Sequence, residues 1–419
     1  MEKPILLFLD KKSHKYSINS LLGAIESKNY LDKIKIELTQ DLLTSISKAY
    51  SRYKKIIVCI SFFTSEVQEI ANLVKNIRSN YPKTILIAGG PHPSGDPRAT
   101  LKMGFHIVVK GEGEQIILKI IDWALDNTAL DEIPSIFFYQ GTKLIATKKD
   151  KWINLDEYNP FSPTFKRFGP IEITRGCPFG CFFCETSYIF GKNVRHRSIE
   201  NIISLVQTLF KRGMTDIRFI TPNAFSYGSI DGKELNLSKL EQLLKEIRKV
   251  IKNNGRIFFG SFPSEVRPEH VTEDTVALIK RYANNDNLVI GCQSGSERIL
   301  EKCRRGHSVD HVIKAVDICK KFNIIPKVDF IFGLPGEEQK DIEESIKVMK
   351  ELIKKGAKIH AHTFIPLPGT PFADRKTSDI SKYYPFINKA LAKGKLFGEF
   401  ERQKQLAENI MKNKGSYNE

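Results

Sequence analysis

Short apolar runs rich in β-branched residues alternate with amphipathic helical patterns along most of the chain, and this alternation constrains the fold more than any other feature. Within residues 1–150 the predicted strands are PILLFLD, KIKIEL, KKIIVCISF, TILIAGG and HIVVKG, with helical patterns among them. Continuous apolar strands are typical of a parallel sheet that is covered on both faces. The pattern predicts a doubly wound, Rossmann-like α/β domain that ends in a hairpin over PSIFFYQGTKLIATKK.

The alternation restarts at residue 171, after a linker that holds three prolines beyond Asn159. Six further strands are predicted, namely IEITRG, DIRFIT, RIFFGSF, NLVIGCQ, KVDFIFG and KIHAHTF. Six successive β/α units predict a partial TIM-like (β/α)6 barrel, which binds its ligands at the carboxyl ends of its strands. The expected division is a first domain over 1–150, a linker over 151–170, the barrel over 171–375 and a short helical C-terminal segment over 376–419.

Composition limits the function classes. No apolar run approaches the roughly 18 residues of a membrane span, and the N-terminus lacks the pattern of a signal peptide. Seven cysteines, three of them in one loop, argue against a disulfide framework and predict a reducing, cytoplasmic location. The net charge of +17 comes largely from lysines interleaved with acids on helices. A nucleic-acid partner therefore stays open but is not favoured.

Three cysteines, Cys177, Cys181 and Cys184, lie in the run IEITRGCPFGCFFCETS with the spacing C-x3-C-x2-C. Three thiolates on one loop can hold three irons of a cubane cluster and leave the fourth iron open for another ligand. A structural zinc site is the alternative, but zinc normally takes four protein ligands, and the nearby candidate for the fourth is His196. Because the loop follows the first strand of the barrel, we expect it at the ligand-binding end.

The loop resembles the cluster-binding motif of the radical S-adenosylmethionine (SAM) superfamily. That resemblance implies a [4Fe–4S] cluster on the three cysteines, SAM bound to the open iron, and reductive cleavage of SAM to a 5′-deoxyadenosyl radical. A one-electron reductant of the flavodoxin or ferredoxin type is then an expected partner. In this family the aromatic residue before the last cysteine touches the adenine, which assigns Phe183 that role.

The resemblance extends through later segments of the barrel. GCQSGSERIL resembles the part that meets the SAM ribose and carboxylate, FIFGLPGEE the turn beside the adenine, and FIPLPGTPF the adenine-packing segment. ITPNAFSYG departs from the acidic or Gly-Gly-Glu element that meets the SAM amino group, and polar substitutes are expected there. The residues implied in SAM binding are Gln293, Ser294, Ser296, Gly333, Gly336, Ile365, Pro366, Thr221 and Asn223.

Two Gly-rich turns, GGPHPSGDPRA and KGEGEQII, follow strands of the first domain. Ahead of a radical SAM module they resemble the cobalamin-binding domain of cobalamin-dependent radical SAM enzymes. The implied contacts are Gly89, Gly90, His92, Gly111 and Glu112. The D-x-H-x-x-G motif that supplies a cobalt ligand is absent, because Asp10 and His14 are wrongly spaced. Cobalamin bound without a protein ligand below the metal and a fold that no longer binds it both remain open.

The resemblance implies an enzyme that methylates an unactivated carbon, with one SAM supplying the methyl group through cobalamin and a second supplying the radical. Peptides, lipids and small metabolites all remain open as substrates, and no catalytic acid or base is identified. His360 and His362 lie on one side of the sixth strand as substrate-side candidates, while Arg175 and Tyr227 are candidates near the cluster. The alternatives are a methylthiotransferase-like, RNA-modifying enzyme and a non-catalytic Fe–S or corrinoid carrier.

Overall fold

The computed structural model describes residues 3–413 and divides into two compact units. Within these residues the first unit comprises 3–169 and 367–369, and the second comprises 170–366 and 370–413. The ends of the predicted first domain and of the predicted C-terminal segment, residues 1, 2 and 414–419, lie outside the described residues.

The first unit is built on one seven-stranded sheet with the strand order β2-β1-β3-β4-β5-β6-β7. The first five strands pair in parallel, and the last two form an antiparallel hairpin at the edge. This confirms the predicted doubly wound sheet and its hairpin. The strands are β1 (Ile5–Leu9), β2 (Lys35–Thr39), β3 (Ile56–Ser61), β4 (Ile85–Gly89), β5 (Ile107–Val109), β6 (Ile136–Gln140) and β7 (Lys143–Ala146).

Helices cover both faces of this sheet. Alternate residues of β1 enter two separate hydrophobic clusters, with Leu6 and Phe8 in one and Ile5 and Leu7 in the other. Because side chains alternate across a strand, a strand that is apolar at every position must be buried on both sides. The helices are α1 (Lys15–Ser27), α2 (Leu42–Tyr50), α3 (Val67–Asn80), α4 (Pro91–Gly95), α5 (Pro97–Lys102) and α6 (Glu114–Ala124).

The segment predicted as a Gly-rich turn after β4 contains two short helices, so the prediction of a loop around His92 was wrong. Each helix begins with a proline at its first position, where the missing N–H costs no hydrogen bond. Asp96 caps the second helix, since its Oδ1 accepts from the Ala99 N–H at 3.0 Å. Gly90, with φ of +94°, provides the sharp entry into the first helix.

Residues 151–169 pack along α1 as part of the first unit. The Thr164 hydroxyl donates to Glu26 at 2.7 Å, and the Arg167 guanidinium forms two hydrogen bonds with Asp10 at 2.8 and 2.9 Å. Gly23 permits the close approach, because an added Cβ would lie 2.0 Å from the backbone oxygen of Asn159. The predicted linker is thus an ordered strap on the first unit.

The second unit contains two parallel sheets, of order β12-β11-β8 and β13-β14-β15-β16, connected by a parallel bridge between Val266 and Ile290. All six predicted barrel strands are present. A seventh parallel strand, β16, lies in the C-terminal segment that was predicted as helical. The strands are β8 (Ile171–Glu172), β9 (Thr174–Arg175), β10 (Arg195–His196), β11 (Asp216–Ile220), β12 (Arg256–Phe258), β13 (Asn287–Gln293), β14 (Ile325–Phe332), β15 (Lys358–Thr363) and β16 (Leu396–Phe397).

Nine α-helices of the second unit fall within the described residues. Among residues 3–413 no helix is both long enough and apolar enough to cross a lipid bilayer. The helices are α7 (Thr186–Phe190), α8 (Ile199–Lys211), α9 (Leu237–Ile251), α10 (Glu273–Tyr282), α11 (Glu297–Lys302), α12 (Val309–Lys321), α13 (Gln339–Lys354), α14 (Tyr384–Ala392) and α15 (Phe400–Asn413).

Replacing Gly23 with alanine should destabilise the first unit. The added methyl group would overlap the backbone oxygen of Asn159, so the strap must move away from α1, at a cost of about 2 kcal/mol in the free energy of unfolding. Chemical denaturation followed by circular dichroism measures this loss. Gly89→Ala is the matched control, because no atom lies within 4 Å of its added Cβ. Equal stability of the two variants would contradict the prediction.

Candidate active site

The three-cysteine loop connects β9 to α7 at the carboxyl end of the first barrel strand. Gly176 and Gly180 have φ of +88° and +63°, which glycine adopts without strain. An added Cβ at Gly176 would lie only 2.3 Å from the backbone oxygen of Asn193, so a larger residue does not fit there. These two glycines let the chain turn tightly enough to place three cysteines on one short loop.

Hydrogen bonds from α7 fix the shape of the loop. The Ser187 hydroxyl donates to the Cys177 carbonyl at 2.7 Å and accepts from the Gly180 N–H at 3.2 Å. The Tyr188 hydroxyl donates to the Gly180 carbonyl at 3.1 Å. Because these bonds use the backbone of the loop, all three thiols remain available as ligands.

The donors fit an iron–sulfur cluster better than a single zinc ion. Around zinc, thiolate sulfurs would be about 3.8 Å apart, given a Zn–S bond of about 2.3 Å. Among residues 3–413, the group of histidine, cysteine and acidic side chains that is close enough together to hold a single ion does not include these three thiols. His196 is also unsuited as a fourth ligand, since its ring nitrogens lie 2.8 Å from the Thr174 hydroxyl and from the Ser229 carbonyl.

The thiols are poor candidates for nucleophilic catalysis. Burial raises the pKa of the Cys177 thiol and raises that of Cys184 to about 12. A buried thiol with a raised pKa is inert as a nucleophile, whereas a metal displaces its proton outright. The loop is therefore suited to ligation and not to covalent catalysis.

Two buried arginines lie beside the loop, and neither was predicted from the sequence. The Arg305 guanidinium donates to Cys181 Sγ at 3.3 Å and to the Gly291 carbonyl at 2.7 Å. Arg267 lies over the Phe179 ring, 3.5 Å from its centroid, and both arginines are buried. Arg267 also pairs with the Glu269 carboxylate, as expected because charged side chains are rarely this buried without a partner of opposite charge. The available signal was two arginines in polar segments that follow predicted barrel strands.

The segment after β13 brings Gln293 and Arg305 together. Gln293 is buried and adopts φ of +80°, an unusual conformation for a residue with a side chain, at an irregularity in the pairing with β14. An added Cβ at Gly291 would lie 2.9 Å from Gln293 Nε2 and 3.1 Å from Arg305 Nη2. Backbone strain of this kind is concentrated at functional sites, so Gln293 remains a predicted SAM contact.

The other polar candidates bond to the protein itself. Ser296 donates to Asp341 at 2.6 Å, and Ser294 lies 3.4 Å from the Ser345 hydroxyl. Thr221 donates to the Asn223 carbonyl at 3.2 Å, while the Asn223 side chain contacts His270 and accepts from the Arg267 N–H. These bonds fix the turns after β11 and β13. A direct SAM contact for these four residues stays a prediction.

An apolar cluster joins the segments predicted to surround the adenine. Leu334 after β14 and Phe364 after β15 are buried together with Ile299, and Phe183 of the cysteine loop packs against them. Gly333 adopts φ of +73°, with its N–H donating to Glu337 Oε2 at 2.9 Å. The nearby candidates differ in exposure: Ile365 is half-buried and Pro366 is buried.

In the first unit, the candidates follow β4 and β5. Gly89 has open space around a notional Cβ, and Gly111, with φ of +91°, donates its N–H to the Ser94 hydroxyl at 3.0 Å. His92 Nδ1 lies 3.2 Å from the Thr64 hydroxyl, and burial lowers the pKa of His92 to about 4. His92 is therefore neutral at pH 7, while the Glu112 carboxylate accepts from the Ile153 N–H at 3.1 Å.

The candidates Arg175 and Tyr227 have structural partners, as do Asp10 and His14, whose spacing excluded them as a cobalt-binding motif. Asp10 pairs with Arg167, and His14 lies 3.0 Å from the Glu66 carboxylate. Arg175 donates to Glu172 at 2.8 and 2.6 Å. The Tyr227 hydroxyl donates to the Arg197 carbonyl at 2.7 Å. Each of these side chains stabilises the local fold.

Comparisons with known proteins agree with this architecture. The family model described as the B12 binding domain matches residues 3–121, and the one described as the radical SAM superfamily matches residues 171–349. The solved structure of the radical SAM methyltransferase TsrM from Kitasatospora setae, with cobalamin and a [4Fe-4S] cluster bound, aligns with a TM-score of 0.70. It is 16% identical and covers 89% of this chain and 77% of that one, so the likeness establishes the fold.

Two curated relatives are also informative. An uncharacterized methyltransferase, PH0819 from Pyrococcus horikoshii, is 28% identical over 351 residues, which are 80% of this chain and 72% of the relative. A tRNA-2-methylthio-N(6)-dimethylallyladenosine synthase from a Sulfurihydrogenibium species is 30% identical over 61% of this chain and 57% of its own length.

The three-cysteine loop on a partial parallel barrel, in a chain that matches the radical SAM family model, defines a radical SAM enzyme. The chain therefore combines a B12 binding domain, over residues 3–121, with a radical SAM domain, over residues 171–349. Its cofactors are a [4Fe–4S] cluster, SAM and cobalamin.

Replacing Cys181 with alanine should abolish cluster assembly, because two remaining cysteines cannot hold three irons. Anaerobic reconstitution followed by iron and sulfide analysis and visible absorption measures the loss. Cys319→Ala is the control, since this buried cysteine belongs to α12 and not to the loop. Iron retained by Cys181→Ala at the level of the control would contradict the assignment.

Replacing Arg305 with methionine should make the cluster potential more negative. The change removes a positive charge and a hydrogen bond to Cys181 Sγ, both of which favour the reduced cluster. A redox titration followed by EPR measures the shift. Arg304→Met is the matched control, because Arg304 is the exposed neighbour in the chain. Identical potentials in the two variants would show that Arg305 does not influence the cluster.

Proposed function

We propose that the protein transfers a methyl group from SAM to an unactivated carbon of its substrate through a substrate radical. This proposal rests on one observation. The chain combines a B12 binding domain with a radical SAM domain whose first strand leads into the three-cysteine loop. When bound, the cluster supplies the electron that cleaves SAM, and cobalamin supplies the methyl group. The methyltransferase names of TsrM and PH0819 support this proposal.

The three cysteines and Gln293 have separate proposed roles. Cys177, Cys181 and Cys184 would each bind one iron and leave the fourth iron without a protein ligand. Gln293, held in a strained conformation beside Arg305, would contact the polar end of SAM. A rigid backbone at this position would orient SAM without further ordering of the protein.

The apolar cluster of the second unit has a proposed role in excluding water. Leu334, Phe364 and Ile299 are buried, and Phe183 packs against them. We propose that the adenine binds against this surface, beside Gly333 and Ile365. Exclusion of water would protect a reactive radical from side reactions.

In the first unit we propose that Gly89, Gly90 and Gly111 allow the corrinoid to approach the carboxyl edge of the sheet, as ligands do in doubly wound folds. Burial keeps His92 neutral, so its side chain would place no positive charge against a bound metal. Glu112 would contribute indirectly, because its carboxylate accepts the Ile153 N–H and so holds that backbone in place.

A radical SAM enzyme requires a one-electron reductant, and we propose a protein of the flavodoxin or ferredoxin type. All seven cysteines are free thiols, which supports a reducing compartment, and we propose the cytoplasm. Peptides, lipids and small metabolites are all compatible with the proposed chemistry.

The alternative of RNA methylthiolation has one observation in its favour, the partial match to the tRNA-modifying synthase. Against it, the seven cysteines of this sequence contain no second triplet for an auxiliary cluster. A non-catalytic carrier would not require the glycine turns after β13 and β14.

The test uses the full chain, reconstituted anaerobically with cluster and hydroxocobalamin. With SAM carrying a deuterated methyl group, a reductant and cell extract, we expect 5′-deoxyadenosine and S-adenosylhomocysteine in equal amounts and a product heavier by one labelled methyl group. Protein prepared without corrinoid is the control and should form no methylated product. Absence of SAM cleavage would favour a carrier, and a methylthio group on tRNA would favour the alternative enzyme.

A further inference from the structure

Three side chains of the barrel, Asp329, His360 and His362, form a cluster that the proposed methyl transfer does not use. Asp329 of β14 lies opposite His360 of β15 in the parallel register. Their strand neighbours Val328 and Ile359 belong to the hydrophobic core beneath the helices. Because side chains alternate along a strand, the three polar groups lie on the opposite face of the sheet from that core.

The potential ligand atoms are already at the separations that a metal ion imposes. His360 Nδ1 lies 2.9 Å from Asp329 Oδ1 and 3.2 Å from His362 Nε2. Ligands at about 2.1 Å from one ion and at right angles to each other are about 3.0 Å apart. All three atoms lie within 4.8 Å of one another.

Hydrogen bonding alone does not satisfy this cluster. The Thr363 N–H donates to Gln403 Oε1 at 2.8 Å, which directs the Gln403 amide nitrogen toward His362 Nδ1 at 3.3 Å. His362 then carries its proton on Nε2, and His360 Nδ1 must accept it. The same nitrogen would also have to donate to Asp329, and one ring nitrogen cannot do both.

A cation resolves this conflict, because it is bound by a lone pair from each of the three groups. His362 would then carry its proton on Nδ1, so the Gln403 amide, whose nitrogen lies 3.3 Å from Nδ1, would turn so that its oxygen accepts from both His362 and Thr363. A hydrogen bond of this kind to the far nitrogen is a regular feature of histidine ligands.

The C-terminal segment supports the cluster from two sides. The Phe397 ring of β16 stacks on His360 with a centroid distance of 4.6 Å and an interplanar angle of 12°, and Gln403 comes from α15. Asp329 is 10% exposed in its side chain and His360 is 30% exposed. The cluster is thus held rigidly and remains open on one side.

We propose that Asp329, His360 and His362 form a site for a divalent first-row transition metal ion, distinct from the cysteine cluster. Two imidazoles and one carboxylate suit Fe²⁺, Mn²⁺, Co²⁺ or Zn²⁺ and leave coordination positions open. These positions would bind an oxygen-bearing group of a substrate. The inference rests on the second unit alone and is independent of methyl transfer.

The test is a titration of the full chain, with its [4Fe–4S] cluster assembled and adventitious metal removed, using Co²⁺ alone. Wild-type protein should bind one Co²⁺ per chain with a visible ligand-field spectrum. His362→Ala and Asp329→Ala should lose this binding, while Gln403→Ala should weaken it by about 10–100-fold. His311→Ala, which removes an exposed histidine of α12, should bind as the wild type does.

Iron content and circular dichroism of each variant establish that the fold and cluster are intact. If His362→Ala also loses the [4Fe–4S] cluster, Co²⁺ binding by Gln403→Ala and His360→Gln shows whether these side chains hold the ion. Gln403→Glu should retain the ion, because a carboxylate accepts the His362 proton more strongly than an amide. A wild-type protein that binds no Co²⁺ beyond the cluster, or that binds it as well as Asp329→Ala does, would overturn the proposal and leave a hydrogen-bonded trio only.

Discussion

The strands of the partial barrel run parallel, and the candidate site depends on this single constraint. Because parallel strands present their carboxyl ends at one edge, the segments that follow them meet there although they are far apart in sequence. The cysteine loop follows the first strand, Gln293 ends β13, Gly333 follows β14 and Ile365 follows β15. Apolar contacts among these segments, such as Phe183 against the buried cluster that contains Leu334 and Phe364, then set the shape of the site.

Charge at the site follows from the same arrangement. Arg267 and Arg305 are buried beside the cysteine loop, and Arg305 Nε has no hydrogen-bond partner among the described residues. Burying two cations is costly unless negative charge lies nearby. Glu269 pairs with Arg267, Glu265 lies near Arg305, and three thiolates bound to a cluster would add further negative charge.

Most of the fold could be predicted, because its strands are apolar at nearly every position and its helices have a clear apolar face. The errors are short elements. The helices that begin at Pro91 and Pro97 are too brief to show periodicity, and proline at the first helical position was interpreted as a turn signal. The two-residue strand Leu396–Phe397 has no pattern of its own, since it forms only by pairing with β15.

The sequence by itself determined the spacing of the three predicted cysteine ligands and the order of strands and helices, because spacing within a loop and periodicity within an element are local properties. Tertiary structure alone decided which side chains meet the loop. Arg305 is 124 residues from Cys181, and nothing near either residue predicts their contact. Tertiary structure also decided that His196 bonds to the Ser229 carbonyl and that Asp329 lies beside His360. Pairings between distant strands depend on how the whole sheet packs.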